Sequence, residues 1–234
     1  MKRVFLISSL WFKLLASLPL VKDFQKGEEI ASLYEKPLAV IHKLDSLTND
    51  KLFVEEVANE FLFVEEDEFD CDIPILILLD KKGNEITRLG YEDASAKEFA
   101  DRLKNRFGMY QKLCFDFEKE ETEKGLENLY QIAVELGSKH YKDKIVEKGC
   151  RQTNGIFFLL EKYTWYVNRG EKDSLEAKAI KEMIQARDPL DEKGTKLRLL
   201  LLDFQEDKKE EMQNYFNEHA KEHDEMLSRL ELIL

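Results

Sequence analysis

The sequence predicts an α/β domain followed by an all-α domain of helical hairpins. Up to about residue 107, short apolar runs bounded by turn residues alternate with helical patterns, and after residue 108 the helical patterns continue alone. A length of 234 residues exceeds that of an average single domain, which favours two. We therefore assign residues 20–107 to the α/β domain, residues 109–234 to the helical domain and residues 1–19 to a separate N-terminal segment.

The composition is that of an acidic, folded protein. Hydrophobic residues make up 43% of the chain, enough for well-packed cores, and 36% are charged, which indicates helices with charged outer faces. The net charge is -12, and neither half has the basic surplus that phosphate contacts need, so we expect no nucleic-acid partner. The three cysteines, Cys71, Cys114 and Cys150, lie far apart in sequence, which argues against a zinc site and a disulfide framework. We expect no metal and no other cofactor.

The N-terminal segment fits two interpretations. Lys2 and Arg3 precede an apolar run, as in a secretory signal peptide, and residues 1–17 would then direct the chain to the periplasm or out of the cell. However, Lys13 interrupts the run and no good cleavage site follows, so the segment can instead be an opening element of the fold. We expect a cytoplasmic protein, with export as the alternative. The run is too short for an integral membrane span.

Two helix–strand pairs open the α/β domain. Apolar residues near helical spacing predict a helix over residues 23–34, which ends before Pro37. The short apolar run at residues 37–42 predicts a buried strand. Residues 53–60 have a helical pattern, and residues 61–64 predict the next strand.

A hairpin and a helix close this domain. Continuous apolar character over residues 73–79 predicts a central strand, and residues 80–84 form a turn that includes a glycine. Residues 85–91 predict the return strand. Ser95 can cap a helix over residues 96–107, in which apolar residues recur every four positions on one face.

This order of elements, together with three motifs, resembles the thioredoxin fold over about residues 20–107. The motifs are a Lys-Pro before the first core strand, a proline-led strand ending in Leu-Leu-Asp-x-x-Gly, and a following Leu-Gly-Tyr. Here they are Lys36-Pro37, Pro74 with Leu78-Leu79-Asp80-Lys81-Lys82-Gly83, and Leu89-Gly90-Tyr91. The resemblance implies a cis peptide bond before Pro74, which would expose the preceding backbone to a docked chain.

The thiol pair of that family is missing. Thioredoxins have Trp-Cys-x-x-Cys after the first core strand, whereas residues 42–50 of this chain contain no cysteine. Disulfide exchange needs an attacking thiolate and a resolving thiol beside it, so we do not expect an enzyme. We interpret the protein as a non-catalytic protein-binding or scaffold module, in which His42, Asp45, Ile73 and Pro74 present a surface to a protein partner or an extended peptide.

An atypical thiol-disulfide oxidoreductase or chaperone that uses the lone Cys71 is the alternative. If the resemblance holds, Cys71 lies beside the vacant active-site loop. Six carboxylates surround it in sequence and should disfavour its thiolate by charge repulsion, which favours an inert thiol. These are Glu65, Glu66, Asp67, Glu68, Asp70 and Asp72.

Two polar patterns could bind a metal, but each has a simpler interpretation. The acidic run at residues 65–72 lacks the ligand spacing of a calcium loop, which favours a solvated loop or a patch for a basic partner. His219 and His223 match a His-x-x-Glu-His zinc motif, but their polar neighbours favour an exposed helix. We interpret His42 as a satisfied structural histidine.

The helical domain has breaks near Gly137, residues 149–155, residues 170–173 and residues 188–194, which predict five or six helices in antiparallel pairs. The pattern resembles helix pairs of the tetratricopeptide kind, which form concave partner surfaces. The dense apolar stretch 155–167 predicts a central core helix, or else a groove for a peptide. A purely structural subunit of a homo-oligomer is a third function class.

Overall fold

The computed structural model describes residues 20–66, 73–91, 94–153, 155–203 and 214. The contacts of the chain divide it into two compact units, of which the first ends at Ile145 and the second begins at Val146. The first unit contains a five-stranded sheet, and the described part of the second contains helices only.

The sheet has the spatial order β1-β3-β2-β4-β5. Its strands are β1 (Leu20–Val21), β2 (Leu38–His42), β3 (Leu62–Glu65), β4 (Ile75–Leu79) and β5 (Glu85–Gly90). The strands β1, β3 and β2 are parallel to one another, whereas β4 is antiparallel to both β2 and β5. The parallel connections pass through helices, and β4 and β5 form the predicted hairpin.

Six helices begin in the described part of the first unit. They are α1 (Phe24–Tyr34), α2 (Asp45–Thr48), α3 (Lys51–Val57), α4 (Ala96–Lys119), α5 (Glu123–Leu136) and α6 (Lys139–Gln152), the last of which extends into the second unit.

Side chains of β2 alternate between two cores, because successive residues of a strand point to opposite faces of the sheet. Ala39 and Ile41 pack in one core with aromatic residues of α3, β3 and α4. Leu38 and Val40 pack in the other core with Ala31 of α1. Both faces of the sheet are therefore covered, which explains why all five residues of β2 are buried.

Helix α1 approaches the sheet closely at one residue. A Cβ atom at Gly27 would lie 2.3 Å from Cγ2 of Val64, so only glycine fits between α1 and β3. The side chain of Asp23 caps the helix by accepting a hydrogen bond from the backbone N–H of Lys26 at 2.9 Å.

The C-terminal end of α1 is strained. Glu35 has φ 53°, the left-handed conformation, while its backbone N–H bonds to Ser32 and that of Lys36 bonds to Ala31. Glycine is the usual residue at this position of such a cap.

We therefore expect Glu35→Gly to raise the unfolding free energy of the first unit by about 0.5–1 kcal/mol, because glycine adopts this conformation without steric cost. The ion pair between Glu35 and Lys81 is exposed, so its loss should cost little. Hydrogen exchange of β2 amides, which reports on the first unit separately, measures the change. The control Tyr34→Gly lies one residue earlier, inside the helix, and should lower the stability. A loss of stability in both variants would contradict this account.

The described part of the second unit is built on three helices besides the end of α6. They are α7 (Ile156–Asn168), α8 (Leu175–Arg187) and α9 (Thr195–Leu202). Leu159, Leu160 and Tyr163 of α7 form its core with Ile180 and Ile184 of α8. The dense apolar stretch is thus a core helix, as predicted.

The structure confirms the predicted fold class, a thioredoxin-like α/β domain followed by an all-α region. It corrects the bounds of one helix: α4 was expected over residues 96–107 but continues to Lys119. A capping box fixes its start, since Ser95 and Glu98 exchange hydrogen bonds. The assignment of domain boundaries at residues 107 and 109 stays a prediction.

The cis peptide bond expected before Pro74 is wrong. None of the peptide bonds among the described residues is cis, and Ile73 and Pro74 both belong to that part of the chain. Trans is the intrinsically favoured state of a peptide bond before proline. The N-terminal segment, Cys71, most of the acidic run and the two histidines near the C-terminus lie outside the described residues.

Candidate functional site

The four predicted binding residues belong to one end of the sheet. Strand β2 ends at His42, which is paired with Ile75 at the start of the antiparallel strand β4. Asp45 opens α2 immediately after β2, and Ile73 and Pro74 immediately precede β4. We call residues 42–50 together with residues 73–74 the His42 end of the sheet.

His42 is a structural residue of this end. Its side chain is buried, and Nδ1 lies 2.8 Å from the backbone oxygen of Glu66, which follows β3. Because a carbonyl oxygen can only accept, Nδ1 has the proton and donates this hydrogen bond. The ring therefore ties the end of β2 to the chain after β3, in agreement with the structural interpretation of His42.

Ile73 and Asp45 supply the accessible part of the surface. The Ile73 side chain is 56% exposed, and Asp45 is also exposed. Pro74 is half-buried, and its carbonyl oxygen accepts a hydrogen bond from the backbone N–H of Tyr91 at 3.1 Å. Its backbone acceptor is thus engaged by the protein itself, and Ile73 is the exposed apolar residue among the four.

The segment between β2 and α3 is anchored by apolar side chains. Leu44 and Leu47 are 2% and 1% exposed and belong to the core that includes Phe53. Asp50 then caps α3, accepting hydrogen bonds from the backbone N–H groups of Leu52 and Phe53 at 2.9 and 3.1 Å. This segment has no nucleophilic thiol, and its packing gives it a fixed conformation.

Neither described cysteine lies at the His42 end. The Cys114 thiol on α4 donates a hydrogen bond to the Tyr141 hydroxyl, with an Sγ–Oη distance of 3.1 Å. Cys150 lies on α6 in the other contact unit, where burial raises the pKa of its thiol and so disfavours the reactive thiolate.

A polar network at the opposite end of the sheet was not predicted. Asp80 follows β4, whose last residue, Leu79, pairs with Leu38 at the start of β2. Its Oδ1 accepts from the backbone N–H groups of Lys82 and Asn84, at 2.9 and 2.8 Å. Its Oδ2 accepts from the Asn84 side chain at 2.9 Å and from the Tyr110 hydroxyl at 3.1 Å. We call this the Asp80 network.

The environment keeps Asp80 ionised. Burial alone would raise the pKa of the Asp80 carboxyl, but the hydrogen bonds from Asn84, Lys82 and Tyr110 outweigh burial and hold the pKa below its ordinary value. Burial is also the main reason that the pKa of Tyr110 is raised, so its hydroxyl remains a donor. The sequence contained one hint of this site. Tyr110 and Cys114 are four residues apart in a helical pattern, which places them on the same face of a helix.

Two features of the described residues bear on the class of site. Among them there is no group of three or more His, Cys, Asp or Glu side chains placed to hold a metal ion. In the same part of the chain no helix combines the length and the apolar character needed to cross a membrane.

Comparison with known proteins supports the fold. Over 146 residues the chain is 30% identical to the thioredoxin-related protein DsbJ of Chlamydia pneumoniae. The match covers 58% of this chain and 39% of the relative, so the chain spans about two fifths of the length of that protein. No protein-family model matches the sequence. No solved structure matches it.

Proposed function

We propose that this chain is a non-catalytic thioredoxin-like protein that binds a protein partner at the His42 end of its sheet. The main support is the segment from residue 42 to residue 50, which has leucines packed in the core and no cysteine. A dithiol exchange reaction requires two thiols in contact, and this segment provides neither. The similarity to a thioredoxin-related protein supports a shared scaffold, and the activity of this chain remains a proposal.

The chemistry of the His42 end favours an extended, partly apolar ligand. Ile73 presents an exposed apolar side chain beside the rigid Pro74 ring, and Asp45 adds a carboxylate at the same end. Such a surface can give an extended peptide an apolar contact and a hydrogen-bond acceptor side by side. We further propose that the helical region is repeat-like, of the tetratricopeptide kind, and contributes a second contact surface.

A photo-crosslinking experiment tests the docking surface. One variant has a benzophenone amino acid in place of Ile73, and the other has it in place of Leu33. Each variant is crosslinked in an extract of the source cells. Leu33 is 76% exposed and lies in the last turn of α1, which leads to the start of β2 and so to the opposite end of the sheet. We expect a discrete adduct from position 73 that Asp45→Arg weakens, and none from position 33. Equal labelling at both positions, or none at position 73, would overturn the proposed surface.

The redox alternative makes a separate prediction. We expect the native chain to give no insulin reduction above the rate with dithiothreitol alone, because the described cysteines are partly buried and Cys71 follows a run of carboxylates. A chromogenic disulfide should label the native thiols slowly. The matched variant Cys71→Ser should behave as the wild type does. Turnover that disappears in Cys71→Ser would show that the protein is a one-cysteine oxidoreductase.

A further inference from the structure

Helix α8 has an apolar stripe on the side that faces away from its own core. Ala177, Ile180 and Ile184 are buried against the neighbouring helices. On the opposite side lie four exposed apolar residues, which we call the outer stripe: Leu175, Ala179, Met183 and Ala186. Their spacing of four, four and three residues places them along one helix face.

The exposure of the stripe needs an explanation. Leu175 is 83% exposed and Met183 is 39% exposed, although both are large apolar side chains on a regular helix. Single exposed apolar residues are common, but a continuous stripe of them indicates an interaction surface.

We propose that the outer stripe is the contact between two copies of this chain, with their α8 helices packed antiparallel about a two-fold axis near residue 181. In this arrangement a large side chain meets a small one at every layer. Leu175 packs on the partner's Ala186, and Met183 packs on the partner's Ala179. A two-fold axis repeats each contact, so one stripe satisfies both copies. In a parallel pair, by contrast, Leu175 and Met183 would each meet their own copy.

The charges beside the stripe agree with the same register. Glu176 and Arg187 lie on one flank of the stripe, and the antiparallel pairing brings Glu176 opposite the partner's Arg187. On the other flank Lys178 lies opposite the partner's Glu182. Both ion pairs are formed twice by the symmetry.

The small size of the contact limits the strength of the dimer. A helix of 13 residues is about 20 Å long, and one helix pair buries less than the roughly 1,600 Å² of a standard interface. We therefore expect a weak equilibrium dimer that forms in the micromolar range or above.

Sedimentation equilibrium of the full chain over micromolar to millimolar concentrations tests the proposal. The weight-average mass should rise with concentration towards twice the monomer mass. Met183→Glu buries a charge at the centre of the contact and should raise the dimer dissociation constant about tenfold or more. Leu33→Glu, at an exposed leucine of the other unit, should leave it unchanged.

Charge reversal tests the orientation. Glu176→Arg and Arg187→Glu should each raise the dissociation constant about fivefold, because each places like charges opposite one another. The double variant should restore wild-type association. Glu176, Met183 and Arg187 lie outside the core, so each variant is expected to fold. Circular dichroism checks this expectation. A constant monomer mass, an association that Met183→Glu leaves intact, or a double variant as weak as the singles would each overturn the proposal.

Discussion

Replacing Phe99 by alanine should lower the unfolding free energy of the first unit by about 3–5 kcal/mol. Phe99 is fully buried where α4 crosses the sheet. Its ring lies 5.3 Å from that of Tyr91 in an edge-on arrangement and 6.1 Å from that of Phe53, measured between ring centroids. The substitution removes these contacts and leaves a cavity among rigid neighbours, which adds to the lost transfer free energy.

Hydrogen exchange of peptides from β2 and β4 measures this effect, because it reports on the first unit separately from the second. The protection of these amides should fall about a hundredfold or more. The control Phe115→Ala makes the same change on the same helix at a ring that is 62% exposed. Its contact with Lys119 is at the surface, so the expected loss is within about 1 kcal/mol. Similar losses in the two variants would mean that α4 is not anchored through Phe99.

Local patterns were sufficient to predict the core of the first unit. The apolar run of β2 predicts a strand with both faces covered, and α1 and α3 cover those faces. The breaker Pro37 and the cap Ser95 marked the start of β2 and of α4. Turn and cap residues of this kind act through their nearest neighbours in sequence, and the sequence therefore contains the whole signal.

The end of α4 shows where such reasoning fails. A helix end was predicted at residue 107, the last of the apolar residues spaced four apart, but the helix continues for about three more turns, to Lys119. An added Cβ at Gly108 would meet no atom within 4 Å, so this glycine is neither a close contact nor a cap. A glycine inside a helix costs only about 1 kcal/mol relative to alanine, which the packing of Leu113 and neighbouring residues offsets.

The candidate site also has one part that local sequence patterns predict and one part that they miss. The motif order placed His42 and Pro74 at one sheet end, and the register of β2 with β4 brings them there. The Asp80 network depends on Tyr110, which lies 30 residues further along the chain. No local pattern encodes such a contact, and it becomes visible only once the packing of α4 is known.

Replacing Asp80 by asparagine should cost about 2–3 kcal/mol at neutral pH. The Oδ2 atom accepts hydrogen bonds from the Asn84 side chain and from the Tyr110 hydroxyl. In the variant, the NH2 group of the asparagine side chain occupies the position of Oδ2 and faces these two hydrogen-bond donors. The hydrogen bonds that Oδ1 accepts from the backbone N–H groups of Lys82 and Asn84 become weaker, because their acceptor is no longer charged. Tyr110→Phe removes a single neutral donor and should cost about 1 kcal/mol, which makes it the matched control.

The pH dependence of this loss separates the role of the charge from that of shape. The pKa of Asp80 is lower in the folded protein than in the unfolded chain, so its stabilising contribution is present above the unfolded pKa of about 3.9. As pH falls through the lower folded pKa, the carboxyl is protonated and the contribution disappears. The difference in unfolding free energy between wild type and Asp80→Asn should therefore be constant from pH 7 to about pH 5 and shrink below about pH 4. Protection of β4 and β5 amides measured across this range supplies the difference. A difference in unfolding free energy that stays the same at every pH would mean that the asparagine disturbs the turn through its shape. In that case the ionised carboxylate would not be what joins the β4–β5 turn to α4.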